Sequence, residues 1–432
     1  MNFTLTRRSM LEGVAASAAG LALESAAQAA TGRPFPPRFL WGAGTAAHQV
    51  EGNNVNNDWW LLEGLAEAGF ASPSGDACDH YHLFREDIRL LADLGLNTYR
   101  FSIEWARIEP REGQFSQAEL DHYRAMLTAC REAGLKTVVT LHHFTAPLWL
   151  AKQGAFMSRN AVPLFARYAA KVADHCGDLI DVLTTFNEAN LSFTEYVPQE
   201  QVARLIAVAR RESGSPHFSS FLFDDVMVSK PIVREAHVAA RRAVKAARPS
   251  LPVGFTLSIS DVQDAPGEKG AAEAMRAQLY DVWLRAARDD DYLGVQNYTR
   301  LLVGKDGVVP PAKGVIMTQL GQEYYPQALG NAVRYAASVA RTPILVTENG
   351  IGIADDGIRG RYIREALTGL QACIAQGVDV RGYIHWSALD NFEWALGYGA
   401  QFGLISVDRA TQQRTPKPSA AMYGAIARRN RI

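Results

Sequence analysis

Short apolar runs rich in β-branched and aromatic residues alternate along this chain with longer segments in which apolar residues return at every third or fourth position. The short runs fall at 39–46, 97–105, 136–144, 182–190, 252–260, 291–298, 343–350 and 381–390, and they predict eight buried strands. Helical periodicity fills the intervals at 81–94, 117–133, 161–176, 230–247, 270–287, 325–340 and 360–376. Gly134 and Gly377 stand where such a segment stops and the next strand begins, the punctuation expected at a helix C-terminus. Repeated strand–helix units need parallel strands with right-handed crossovers, and eight of them close into a barrel. The predicted fold is therefore α/β, a single (β/α)8 barrel of the TIM type over residues 30–432. A doubly wound open sheet lacks support, because Gly42-Ala43-Gly44 runs on into Thr45-Ala46-Ala47 and forms no Gly-x-Gly-x-x-Gly turn.

Residues 1–29 stand outside this rhythm. Thr6-Arg7-Arg8-Ser9-Met10-Leu11 precedes a small-residue apolar run from Val14 to Leu23, and Ala27-Gln28-Ala29 follows. This resembles a twin-arginine export signal, so the expectation is an exported chain, periplasmic or secreted, that matures near Ala30. The apolar run is too short to span a bilayer, and no later stretch reaches the ~20 apolar residues a membrane helix needs.

Composition narrows the class of partner. With 432 residues, 48% hydrophobic and 21% charged, the chain can bury a large core. Its net charge of −1 leaves no electrostatic footprint for nucleic acid or an anionic membrane, and a small neutral substrate fits better. Cys78, Cys130, Cys176 and Cys373 are scattered, with no Cys-x-x-Cys, and read as unpaired core residues. No metal or cofactor is expected: His142 and His143 are adjacent, and no His-x-x-x-His recurs at a strand end. The oligomeric state is left open.

In barrels of this kind, reactive groups sit at the C-terminal ends of the strands. The fourth strand ends Thr184-Thr185-Phe186-Asn187-Glu188 and the seventh ends Val346-Thr347-Glu348-Asn349-Gly350. Either glutamate alone would read as a helix-start or solvated loop residue. Together they can approach one substrate from two sides, as glycosidic cleavage requires. One carboxylic acid protonates the leaving oxygen while a carboxylate attacks or stabilises the anomeric carbon; a gap of ~5–5.5 Å gives retention and a wider one inversion.

These two motifs resemble those of glycoside hydrolase family 1, the β-glucosidase family. The likeness continues through Phe39-Leu40-Trp41-Gly42 and Gln49-Val50-Glu51-Gly52, Tyr99-Arg100-Phe101-Ser102-Ile103-Glu104-Trp105, Leu141-His142-His143-Phe144, Trp386-Ser387-Ala388-Leu389-Asp390-Asn391-Phe392-Glu393-Trp394 and Phe402-Gly403-Leu404, and covers residues 35 to 430. It implies a retaining β-glycosidase that removes a terminal non-reducing β-D-glycosyl residue through a covalent glycosyl-enzyme. Glu348 is then the nucleophile, Glu188 the acid/base, Arg100 the cation that keeps Glu348 ionised and Tyr298 its hydrogen-bond donor. Asn187 is expected at the sugar 2-hydroxyl. Gln49, His143, Gln296, Glu393, Trp394 and Phe402 are expected around the sugar, with Trp386 as the apolar platform. Each also has a plain structural reading, as a barrel salt bridge, a capping asparagine or a core aromatic.

Glu393 bears on the substrate. The resemblance implies that relatives acting on 6-phosphorylated sugars replace this acidic residue, so its presence points to an unphosphorylated sugar. Departures mark this as a divergent member: Ala189 where proline is usual, Phe144 for tryptophan, Gln296 for asparagine, and Leu396 where an acidic residue often binds outer hydroxyls. Glucose is expected first, with galactose or fucose admitted. The segment 190–230 resembles the family poorly, and its run Phe218-Ser219-Ser220-Phe221-Leu222-Phe223 is expected to line the entrance against an aromatic or lipidic aglycone. Two rival readings stay open, a transglycosylase whose dry acceptor site favours an alcohol over water and a non-catalytic sugar-binding protein on the same barrel.

Overall fold

The computed structural model describes residues 33–195 and 197–432, so the expected export signal lies outside the described residues. Eight strands form a closed barrel: β1 (Leu40–Gly44), β2 (Thr98–Ser102), β3 (Lys136–His142), β4 (Val182–Phe186), β5 (Val253–Ser258), β6 (Tyr292–Asn297), β7 (Ile344–Asn349) and β8 (Val380–Trp386). Each is parallel to its sequence neighbours, and β8 returns to β1 with Leu40 opposite Gly382 and Gly44 opposite Trp386. All eight predicted strands are present.

The outer layer comprises α1 (His80–Asp93), α2 (Gln117–Glu132), α3 (Ala161–Cys176) and α4 (Val226–Ala247), then the segmented α5 (Ala271–Arg276 and Val282–Ala286), α6 (Ala328–Ala340), α7 (Asp356–Ala375) and α8 (Pro418–Arg429). Local chemistry sets their starts. Ser116 accepts the Glu119 N–H at 3.3 Å to open α2, a cap worth about 1 kcal/mol.

Three details differ from the periodicity. Asp225 accepts the Met227 N–H at 2.8 Å and starts α4 one turn before the expected position 230, upstream of Pro231. The segment expected as one helix over 270–287 contains a π turn, Ala277–Asp281, which slips the period by a residue and turns Tyr280 inward to accept the Ser260 N–H. Helix Gln199–Ser213 and α8 go unpredicted, the first inside the poorly resembling segment and the second opened by Pro418 at its first position.

The main apolar core lies between strands and helices, and the four cysteines are buried in it with free thiols. A separate small cluster, Val138, Tyr292, Leu345 and Ile384, forms an apolar floor contributed by β3, β6, β7 and β8. Near the C-terminal ends of the strands, the buried residues become polar. Arg100, Asn187, Thr256, Gln296 and Thr347 are each at most 1% exposed.

Candidate active site

A fully buried guanidinium must be paired, and Arg100 reaches out from β2 to do so. It donates to Glu348 Oε1 at 2.5 Å and to Asn187 Oδ1 at 2.6 Å. The same guanidinium reaches the Thr347 carbonyl at 3.4 Å. The Tyr298 hydroxyl donates to the other Glu348 oxygen. A register shift between Val346 and Glu348 in the pairing of β7 with β6 sets Glu348, rather than Thr347, opposite Gln296. Gly350 then passes so close to β8 that a Cβ there would sit 1.8 Å from the Trp386 carbonyl oxygen, which explains glycine after Glu348-Asn349.

Glu188 has different surroundings. It sits one residue beyond Asn187 at φ 38°, in left-handed backbone that is uncommon for a non-glycine residue. Its N–H donates to Thr256 Oγ1 at 2.8 Å, and the Ala189 N–H donates to the Thr256 carbonyl at 2.9 Å. The second bond gives the departure at Ala189 a physical use, since proline has no N–H to give. Glu188 Oε1 is buried without a hydrogen-bond partner among the described residues.

The electrostatics follow from these contacts. Burial, joined by the charge of Glu348, pushes the Glu188 carboxyl up to about 8, against the pull of the Ser258 hydroxyl and Arg100. Burial also raises Glu348, but Arg100, Tyr298 and Gln296 all favour its ionised form. Glu393 is raised well above the usual carboxylate range by burial, with Trp386 opposing. Burial, with the charge of Arg100 next, holds His143 far below the ordinary histidine value, so its ring is neutral at neutral pH.

The remaining expected residues gather round these two carboxyls. Asn187 Oδ1 also accepts from Gln296 Nε2 at 2.8 Å and Thr256 Oγ1 at 3.3 Å, and its Nδ2 lies 3.3 Å from His143 Nε2. The His143 ring stacks near Trp386 (5.8 Å, 17°) and Trp394 (6.2 Å, 12°). Phe402 packs with Trp386 and meets the Tyr298 ring edge-on at 5.8 Å. Gln49 donates to the Phe392 carbonyl at 2.7 Å, beside Glu393. Gln49 Oε1, His143 Nδ1, Glu188 Oε1 and Glu393 Oε1 are all buried without a protein partner among the described residues. Four unsatisfied polar atoms with indole faces among them suit a ligand with many hydroxyls and an apolar C–H face.

All twelve expected residues thus belong to one connected cluster. Thr256 and Ser258 were missed, although their alternation with Phe255 and Leu257 in β5 marks them as polar positions of a buried strand. The entrance expectation for 218–223 is corrected. Phe218, Phe221 and Leu222 are at most 1% exposed, and Phe221 packs on His142, Phe144 and Phe156. Burying these side chains against the aromatics behind β3 and β4 outweighs exposing them to an aglycone. Leu396, by contrast, is 44% exposed.

Comparison with known proteins agrees with this geometry. Residues 31–202 and 290–432 match the pattern described as glycosyl hydrolase family 1. A β-glucosidase of Agrobacterium sp. is 30% identical, with 91% of this chain and 95% of that protein covered. A bifunctional β-D-glucosidase/β-D-fucosidase of Bifidobacterium breve is also 30% identical, covering 90% and 97%. The crystal structure of β-glycosidase BGL167 superimposes with a TM-score of 0.89 at 49% identity, covering 92% of this chain and 98% of that one.

Proposed function

The chain belongs to glycosyl hydrolase family 1 and is a glycoside hydrolase; from that premise we propose that it is a retaining β-glycosidase acting on the terminal non-reducing residue of a small, unphosphorylated β-glycoside. Glucose is the first candidate sugar, with galactose and fucose admitted; glucosidase and fucosidase are the two activities named for the Bifidobacterium relative. The observation that carries the reading is the unequal pair: Glu348 is held by a cation and a hydroxyl, whereas Glu188 is buried with one oxygen bare.

In the first step the Glu348 carboxylate attacks the anomeric carbon, the bond from that carbon to the aglycone oxygen breaks, and Glu188 gives its proton to the departing oxygen. Burial is the first reason Glu188 keeps its proton and the charge of Glu348 the second; glycosylation removes that charge, so the proton is held less firmly. Glu188 then takes a proton from water as the water oxygen attacks the anomeric carbon and Glu348 departs as carboxylate. Trp386 supports the ring, and Gln49, His143 and Glu393 receive its hydroxyls.

The test is a burst experiment. A 2-deoxy-2-fluoro-β-glucoside of dinitrophenol is expected to release one equivalent of phenol and leave a fluoroglycosyl adduct on the Glu348 peptide. Absence of a burst in the intact chain, or an adduct on another residue, sinks the reading. We further propose export through the twin-arginine route, which Arg7→Lys with Arg8→Lys blocks, leaving the chain in the cytoplasm.

A further inference from the structure

A cavity of about 570 Å³ lies between the loops that follow β3 and β4, and Gln153, Ser158, Ile206, Arg210, Phe223 and Asp224 are among the residues lining it. Much of its wall comes from residues 206–225, inside the stretch 203–289 that the family pattern does not match. It is separate from the cluster around Glu188 and Glu348. Phe223 stacks on Trp59 (5.8 Å, 15°), and Trp59 meets Trp394 edge-on (4.8 Å, 80°), so an aromatic wall divides the cavity from the expected sugar platform.

The wall of this cavity is built for hydrogen bonding. Asp224 is 3% exposed; one carboxylate oxygen accepts the Ser219 hydroxyl, while the other is buried with no hydrogen-bond partner among the described residues. A buried carboxylate oxygen without a donor is costly, and a ligand that supplies one recovers that cost. Phe223, Met157 and Ile206 give apolar surface beside it. The charges around the space balance, Asp224 and Asp225 against Arg210 in the wall and the Lys230 ammonium whose charge acts on Asp224, which disfavours both an ammonium and a phosphate. Neutral hydroxyl donors beside an aromatic face are the remaining match.

We propose that this cavity is a second saccharide site, binding a neutral glycosyl unit through Asp224 and Phe223, outside the catalytic cluster. It rests on the glycosidase reading only for the choice of ligand. Two sources share this chemistry, a free saccharide and the distal end of a long substrate.

The probe is S-linked thiocellobiose, a disaccharide whose thioglycosidic bond resists hydrolysis, titrated calorimetrically into the full chain. Two binding events are expected, one displaced by a monosaccharide-sized iminosugar and one not. Asp224→Asn, which keeps shape, and Ile206→Trp, which fills the space from the helix side, should each weaken the undisplaced event at least about tenfold. Both should leave kcat/KM on 4-nitrophenyl β-glucoside within about twofold. A raised KM for a β-1,4-glucotriose in the variants identifies the distal end of the substrate as occupant; an unchanged KM identifies a free saccharide. A single, fully displaced event, or an undisplaced event untouched by both variants, overturns the proposal. Failure of the glycosidase reading would show separately, as absent turnover of aryl glycosides by the native chain.

Discussion

Glu188 and Glu348 end two strands of one barrel, and both are almost wholly out of water, at 7% and 3% exposure. Their neighbours divide them. β2 sends a guanidinium and the end of β6 a phenol hydroxyl to Glu348, whereas Glu188 receives backbone support through Thr256 and, among the described residues, no cation in hydrogen-bond contact. Burial pushes both carboxyls toward the neutral acid, and only at Glu348 do a cation and two hydrogen-bond donors pull back toward the ionised form. Placement of donors, rather than depth, distinguishes the two carboxyls.

The sharpest way to break this comparison is at Glu348, the proposed nucleophile. Glu348→Gln is expected to lower kcat/KM on aryl glucosides by at least about four orders of magnitude, and near-native steady-state rates would abolish the distinction. Glu188→Gln should cost about a hundredfold to ten-thousandfold on a glycoside with a poor alkoxide leaving group. On a dinitrophenyl glycoside the cleavage step should hardly change, so the ratio of the two substrates isolates the acid. Tyr298→Phe removes one bond to a charged acceptor; a fall of about tenfold to a hundredfold in kcat is expected, with a crystal structure or circular dichroism spectrum unchanged.

The smallest effect is on stability. The Glu188 carboxyl is raised from 4.5 to about 8 in the folded chain, so between these values the folded state holds a proton that the unfolded state has released. Its contribution is present below about pH 4.5 and is lost as pH rises through about 8. Glu188→Gln should therefore gain thermal stability relative to the native chain as pH rises from 5 to 9. A constant difference in Tm across that range would contradict the assignment.

Much of this arrangement was legible in the sequence. The eight strands follow from runs of branched and aromatic residues, and the two glutamates follow from where those runs end. The shifts at α4 and α5 were not legible, because Asp225 and the π turn act through hydrogen bonds rather than periodicity. The run 218–223 reads equally as an apolar entrance or a core wedge, and packing against His142 and Phe186 decides for the wedge. The unequal surroundings of the glutamates were foreseen only by likeness to a family. The bonds themselves depend on a shift in pairing near Glu348 and on Thr256 in the neighbouring strand.

Asn187 fixes the polarity of the site. Its Oδ1 accepts from the Arg100 guanidinium and from Gln296 Nε2, so turning the amide over would set its NH2 against both of those donors. Nδ2 must then donate to His143 Nε2, which makes that nitrogen the acceptor and places the imidazole proton on Nδ1, the ring atom without a partner among the described residues. One carbonyl orientation just past β4 thereby dictates the tautomer of a ring just past β3. At this point in the cluster the ring can only give a hydrogen, and a ligand is selected there by whether it carries an oxygen to receive it.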